Sequence, residues 1–252
     1  MPCPLESELR TGGNDQLKAT SANVEAKRAA GRKAAEMVRH GMRVGAGTGS
    51  TAVEFIKTLV ERVRLERLDV EVVPTSFQSR MLCLKSGLTV VDPAFVSNLD
   101  LCVDGADEVD QRFNAIKGGG ACHTLEKVVA ALADHYVLVI DESKLVTSLG
   151  QGFPVPIEVL PAALGLVTRE VERMGFSCSP REGSGKDGPV VSDNGNLILD
   201  VNTGAISDPL ALSNELDRIP GLVGHGLFVG MVDCVVVGRV REGEATADVL
   251  TL

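Results

Sequence analysis

Short aliphatic runs spaced by helical stripes constrain this chain more than any other feature. The runs are "MRVGAG" (42–47), "LDVEVVP" (68–74), "LTVVD" (88–92), "LDLCVDG" (99–105) and "YVLVID" (136–141). Between the first two, "STAVEFIKTLVERV" places Val53, Ile56, Leu59, Val60 and Val63 on one helical face,. Ser76 to Lys85 and "TLEKVVAALAD" (124–134) read as further helices. The Ala-rich stretch 21–41 precedes them all, with Ser21 and Asn23 as N-cap candidates and Gly41 at its end,. Alternation of this kind predicts an α/β fold, a Rossmann-like, mostly parallel sheet with helices on both faces. Right-handed crossovers then bring the loops after the strands to one edge, where such folds bind ligands. With 3% aromatic residues and no Trp, the core must be aliphatic, which suits buried parallel strands,.

After about residue 150 the pattern changes. "PVPIEVL", a helix with Leu164, Val167, Val171 and Met174 on one face, and "FSCSPR" are followed by a hairpin signal, "PVVSDNGNLILDV", with Asn194-Gly195 between apolar arms,. A helix starting near Pro209 and a strand "GLFVG" complete a β-α-β-β-α-β order, which predicts a smaller ferredoxin-like α+β domain,. "DCVVVGRV" reads as a return to the first sheet. The expected organisation is a loose N-terminal extension over 1–20, a catalytic domain over 21–148 and 227–252, and the small domain over 149–226. "EGSGKDG" (182–188) reads as a flexible loop, and the tail beyond Arg241 carries no evident role.

The 252 residues suffice for a sizeable core,. A net charge of −9 without a basic stripe argues against a nucleic-acid partner, although a few lysines and backbone N–H groups can still make a pocket attract an anion,. The six cysteines are scattered without a C-x-x-C pair, which favours a reducing compartment over a disulfide framework or zinc site,. No run is apolar and long enough for a membrane span, and no leader pattern is evident, so the expected location is cytoplasmic,.

Four stretches carry candidate chemistry on the predicted edge. "GAGTGST" (45–51) joins a strand to a helix, the geometry of a phosphate cradle with hydroxyls at Thr48, Ser50 and Thr51; a tight turn that only caps its helix fits equally well,. A dinucleotide fingerprint fits less well, because Ser50 takes the place of the last glycine and the next strand ends in "VVPTS" without an acid,. "VDGADEVD" (103–110) offers Asp104 and Asp107 for protons or sugar hydroxyls, or else is a solvated acidic loop; its spacing does not suit calcium and leaves magnesium open,. In "IKGGGACHTLEKVV" (116–129), Lys117 and the amides of Gly118, Gly119 and Gly120 could hold an oxyanion,. Glu126 in the next helical turn would face the same pocket as a base; a glycine loop packed under a helix is the plainer alternative. Lys144, in "DESKLV", gains weight only from this shared edge.

In this order and spacing, "GAGTGST", "DGADEVD", "IKGGG" with "LEKVVA", and "DESKLV" resemble ribose-5-phosphate isomerases of the A type from about Val24 to Gly230, and "PTSFQSR" and "GPVVSDNGNLILD" are closer to the eukaryotic-style members. The resemblance implies interconversion of ribose 5-phosphate and ribulose 5-phosphate through an enediolate, in the pentose phosphate pathway, without a metal or other cofactor. It implies Glu126 as base, with Lys117 and Gly118–Gly120 on the oxyanion. Asp104, Gly105, Ala106 and Asp107 would contact the sugar, the two acids also assisting ring opening. Thr48, Gly49, Ser50, Thr51, Lys144 and Lys27 would hold substrate and its phosphate. It further implies a homodimer or homotetramer. Cys122, His123 and Leu125 depart from the usual family residues. His123 is expected to cover the helix end, and His40, His135 and His225 to be structural. A dinucleotide-dependent oxidoreductase and a sugar-phosphate-sensing regulator are the competing readings.

Overall fold

The computed structural model describes residues 12–183 and 187–252, with side chains from residue 23 onward. In chain order the elements are α1 (Gly12–Ala35), β1 (Arg43–Ala46), α2 (Ser50–Glu66), β2 (Glu71–Pro74), α3 (Phe77–Lys85), β3 (Thr89–Val90), β4 (Leu101–Asp104), β5 (Glu108–Val109), β6 (Ala115–Ile116), α4 (His123–Ala131) and β7 (Tyr136–Asp141). Then come β8 (Val155–Val159), α5 (Leu164–Arg173), β9 (Ser177–Pro180), β10 (Leu197–Asn202), α6 (Pro209–Leu216), β11 (Leu222–His225), β12 (Leu227–Phe228), β13 (Cys234–Arg241) and β14 (Glu244–Thr251).

The large sheet has the order β14-β13-β7-β4-β1-β2-β3, parallel except for β14. The chain winds outward from β1 to β3, then crosses back to place β4 on the other side of β1. That reversal opens a crevice beyond the carboxyl ends of β1 and β4, the position where open α/β sheets take ligands. Alternating strand residues feed two cores. Val44, Val72, Val103, Val139 and Val236 pack with Ala30 and Ala34 of α1 and Phe55, Ile56 and Leu59 of α2. Cys102, Leu138, Ile140 and Val237 face the other way, onto Val129 of α4 and Phe228. Helices therefore cover both faces, as the pattern predicts.

The second sheet is antiparallel, β11-β8-β10-β9, with α5 and α6 supplying its crossovers, so a ferredoxin-like unit does form; its last strand is β11, however, and the expected "GLFVG" strand instead gives β12, which pairs with β6 outside this sheet. A third small sheet, β12-β6-β5, lies between the two. No described helix is long and apolar enough to cross a membrane.

Three expectations shift. Helix α1 begins at Gly12, so residues 12–20 of the expected loose extension are helical, and the helix stops at Ala35, short of Gly41; residues 1–11 lie outside the described residues, as do 184–186 of the expected loop. The hairpin at Asn194-Gly195 keeps its turn, with Gly195 at φ 83° and an isolated Val191–Leu197 bridge, but only its second arm becomes a strand. The buried Glu158 carboxylate accepts from the side chains of Ser192, Asn194 and Asn196 around the turn, and the first arm is reduced to single bridges, Glu182–Pro189 and Val191–Leu197. The tail beyond Arg241, without an evident role in the sequence, forms a sheet edge: β14 pairs with β13 along its full length through a two-residue turn at Glu242 and Gly243, both with positive φ,.

Candidate active site

Strand β4 ends at Asp104, which is fully buried. Its Oδ1 accepts the backbone amides of Thr48 (2.9 Å) and Gly105 (2.7 Å). Its Oδ2 stands 3.1 Å from Lys117 Nζ. Lys117 follows β6, is 2% exposed, and also donates to the Gly105 carbonyl. On its other side Lys117 Nζ lies 3.2 Å from Glu126 Oε2, in the first turn of α4. The Phe228 ring of β12 sits 5.3 Å from the same ammonium, a cation–π contact that supports the charge where water is excluded,.

One buried cation thus stands between two buried carboxylates. Burial raises the Glu126 carboxyl well above the usual carboxylate range, and the Asp104 charge raises it further, while Lys117 pulls it partly back. Burial also raises Asp104, again opposed by Lys117 and by the two amides. Burial works against the charge of Lys117, yet Asp104 and Glu126 more than offset it and raise the ammonium. Lys117 therefore stays protonated, and Glu126 is the group poised to exchange a proton near neutral pH.

Above this triad the glycine loop crosses. Gly118 has φ 105°, and a Cβ there would lie 2.6 Å from His123 Nδ1. His123 is buried at the helix end, its Nε2 3.4 Å from Gly224 O, so it underlies the loop and does not line the cleft. The Gly119 amide donates to Asp107 Oδ2 at 2.8 Å.

The remaining wall comes from the start of α2. Gly49 precedes it with no side-chain cap and no acid follows in the first turn, so its leading N–H groups and positive dipole end carry no local counter-charge,. Thr48 Oγ1 is bonded to Thr75 Oγ1 (2.8 Å) and Ser76 Oγ (2.6 Å), which ties the loop to the end of β2. The Thr48 hydroxyl is thus engaged by the protein, whereas Ser50 and Thr51 line the cleft. Lys27 of α1 and Lys144 of the turn after β7 complete it, and Lys27 Nζ is 4.0 Å from Asp141 Oδ2.

The structure brings Lys27, Thr48, Gly49, Ser50, Thr51, Gly105, Ala106, Asp107, Lys117, Gly118, Gly119, Gly120, Glu126 and Lys144 to one cleft of about 160 Å3. Asp104 lies beneath its floor. Cys122 donates to the Gly120 carbonyl, and burial pushes its thiol up to about 12, so it behaves as an inert packing group,. Sequence reasoning missed Phe228, Thr75, Ser76 and Arg181, which donates to the carbonyls of Gly118 and Gly119. Their partners are far away in sequence, and no local pattern marks them. Among the described residues no three His, Cys, Asp or Glu side chains converge as a metal site would require.

A doubly wound sheet with a shielded acid–ammonium pair at its switch point defines an α/β enzyme suited to proton transfer on a small anionic substrate. Comparison with known proteins narrows this class. The family model for ribose 5-phosphate isomerase A (phosphoriboisomerase A) matches residues 71–242, and the chain belongs to that family. It is 50% identical over 212 residues to ribose-5-phosphate isomerase A of Methanothermobacter thermautotrophicus, covering 84% of this chain and 93% of the relative. Against the same-named protein of Thermosynechococcus vestitus it is 47% identical, covering 86% and 93%. Among solved structures, ribose 5-phosphate isomerase A of Methanocaldococcus jannaschii superposes with a TM-score of 0.86 at 41% identity, covering 91% of this chain and all of that one. A D-ribose-5-phosphate isomerase in complex with phospho-erythronic acid does so with 0.86 at 38% identity, covering 90% and 98%.

Proposed function

We propose that this protein interconverts D-ribose 5-phosphate and D-ribulose 5-phosphate, with Glu126 as the base. The observation that carries the reading is the Glu126 carboxylate, 4% exposed, 3.2 Å from the Lys117 ammonium and beneath a loop of three glycines. In the open-chain aldose, Glu126 takes the proton from C2. The C–H electrons form a C1–C2 double bond, and the carbonyl oxygen becomes an oxyanion. Lys117 and the glycine amides stabilise that charge where it develops. A proton passes from O2 to O1, Glu126 returns its proton to C1, and the carbonyl re-forms at C2. Asp107, on the cleft wall, contacts the sugar and assists ring opening. Asp104 keeps Lys117 charged and placed, and shares in ring opening through it. The amides at the start of α2, with Ser50, Thr51, Lys27 and Lys144, take the phosphate and hold a flexible sugar in reactive geometry. A relative's binding of phospho-erythronic acid fits this assignment, since that ligand joins a carboxylate and a phosphate across four carbons.

The same reading treats 21–148 with 227–252 as the catalytic unit and 149–226 as the small domain. It places the protein in the cytoplasm as a homodimer or homotetramer, which light scattering measures. The activity test is a coupled assay of ribulose 5-phosphate formation with EDTA present. Glu126→Gln is expected to lower turnover by at least about 10²-fold, while calorimetry still shows ribose 5-phosphate binding. Turnover at the wild-type rate in that variant excludes the mechanism.

A further inference from the structure

One contact reaches the glycine loop from the small sheet. Arg181 follows β9, and its amide donates to Ile198 O at 2.8 Å. Asp200 of β10 grips one edge of its guanidinium, with Nε to Oδ2 at 2.9 Å and Nη2 to Oδ1 at 2.5 Å. The remaining nitrogen, Nη1, donates to the carbonyls of Gly118 (2.8 Å) and Gly119 (3.1 Å). The side chain is 15% exposed and does not line the cleft.

The planar trans peptide gives these two bonds a consequence. Within each unit the C=O and the N–H point in opposite directions. The Gly118 carbonyl shares its unit with the Gly119 N–H, and the Gly119 carbonyl with the Gly120 N–H. Holding both carbonyls on Arg181 turns both N–H groups the other way, toward the cleft. The Gly119 N–H does point there, since it reaches Asp107 Oδ2. A fixed guanidinium also polarises each peptide and strengthens its N–H as a donor. The Gly118–Gly119 peptide is held as well by Asp107 and by the Ala121 amide, which donates to the Gly118 carbonyl at 2.9 Å, so the Gly119–Gly120 peptide is the one that depends most on Arg181.

We propose that Arg181 is a positioning residue that aims the Gly120 amide at the oxyanion while keeping the Gly119 amide on Asp107, so that the small domain completes the chemistry of the large one. The inference rests on the isomerase reading above. Asp200 fixes the guanidinium, which a lysine ammonium cannot reproduce, because a single point charge cannot grip Asp200 and both carbonyls together.

The test uses the full-length protein and compares Arg181→Met, Arg181→Lys, Arg181→Ala and Glu126→Gln. In Arg181→Met, kcat is expected to fall roughly tenfold to a hundredfold, because the donors remain but lose their aim. KM for ribose 5-phosphate should change less than about threefold, since the phosphate contacts are untouched. Affinity for phospho-erythronic acid should fall with kcat. In Arg181→Ala, added guanidinium at non-denaturing concentration should restore part of the rate, which a merely structural defect would not allow. An unchanged kcat in Arg181→Met overturns the proposal, and so does a loss confined to KM. If Arg181→Met does not fold, Arg181→Lys decides: a wild-type kcat overturns the proposal, and a reduced kcat at constant KM supports it. An inactive Glu126→Gln beside a fully active Arg181→Met removes only the role of Arg181. An active Glu126→Gln removes the isomerase mechanism itself.

Discussion

At Gly118 two demands meet that no other residue satisfies. The backbone turns at φ 105°, and the ring of His123 occupies the space a Cβ would need. Gly118→Ala is expected to cost about 1–3 kcal/mol in stability and to lower kcat at least roughly tenfold by tilting the oxyanion amides. Denaturant titration and the coupled assay measure the two effects. A variant with wild-type stability would show that the loop relaxes freely. The residues proposed to react were legible in the sequence, because Lys117 and the three glycines are contiguous and Glu126 follows six residues after Gly120, in the first turn of α4. Their supports were not. Arg181 and Phe228 look like an ordinary surface cation and an ordinary core ring, and only their folded positions distinguish them. Nor did spacing show that Asp104 would lie beneath the cleft while Asp107 lines it; that difference comes from the buried strand end of β4.

At the scale of elements, α1 deserves its place through contact with the distant strand β13. A Cβ on Gly238 would lie 1.9 Å from the Ala26 carbonyl, so helix and strand touch backbone to backbone. Lys27, next along the helix, reaches the cleft from that seat. Gly238→Ala must push α1 outward, with an expected cost of about 1–3 kcal/mol, and KM for ribose 5-phosphate should rise severalfold while kcat changes less. Steady-state kinetics over a substrate series checks this, and an unchanged KM counts against Lys27 as a phosphate contact. The sheet elements were readable because apolar runs and helical stripes alternate cleanly. Strand β14 escaped notice because its turn is Glu242-Gly243 instead of the usual Asn-Gly or Asp-Gly, and because its residues are largely exposed on the sheet edge,. The first arm of the 189–201 hairpin shows the opposite case: its turn signal is good and the turn forms, but the arm itself makes only isolated bridges.

Across the whole molecule, two buried histidines tie stability to pH. Burial lowers His123 to about 4 and His225 to about 3, the second also opposed by Lys127, although the exposed Asp217 carboxylate 3.1 Å from its Nε2 works the other way. In the unfolded chain each titrates near about 6.5. Between these values the unfolded state binds more protons, so stability falls as pH drops from about 6.5 and levels off only below the folded values. At pH 5 the loss should reach roughly 2 kcal/mol for each histidine. Glu126, raised to about 8, acts in the opposite sense over the same range, so the histidine contribution is read as a difference,. Urea midpoints of the wild type and of His225→Gln at pH 7.5 and 5 should show a smaller loss on acidification in the variant than in the wild type, and equal changes would contradict it. The β6–β12 pairing, Ile116 to Leu227, has a different consequence, one of timing. Lys117, Glu126 and Asp104 all leave the ribosome early, but the Phe228 ring that braces Lys117 emerges only after the entire small sheet. A nascent or truncated chain ending before β12 holds Asp104, Lys117 and Glu126 without their brace, so isomerase activity should arise only near the end of synthesis, when the last third of the polypeptide closes over the middle third.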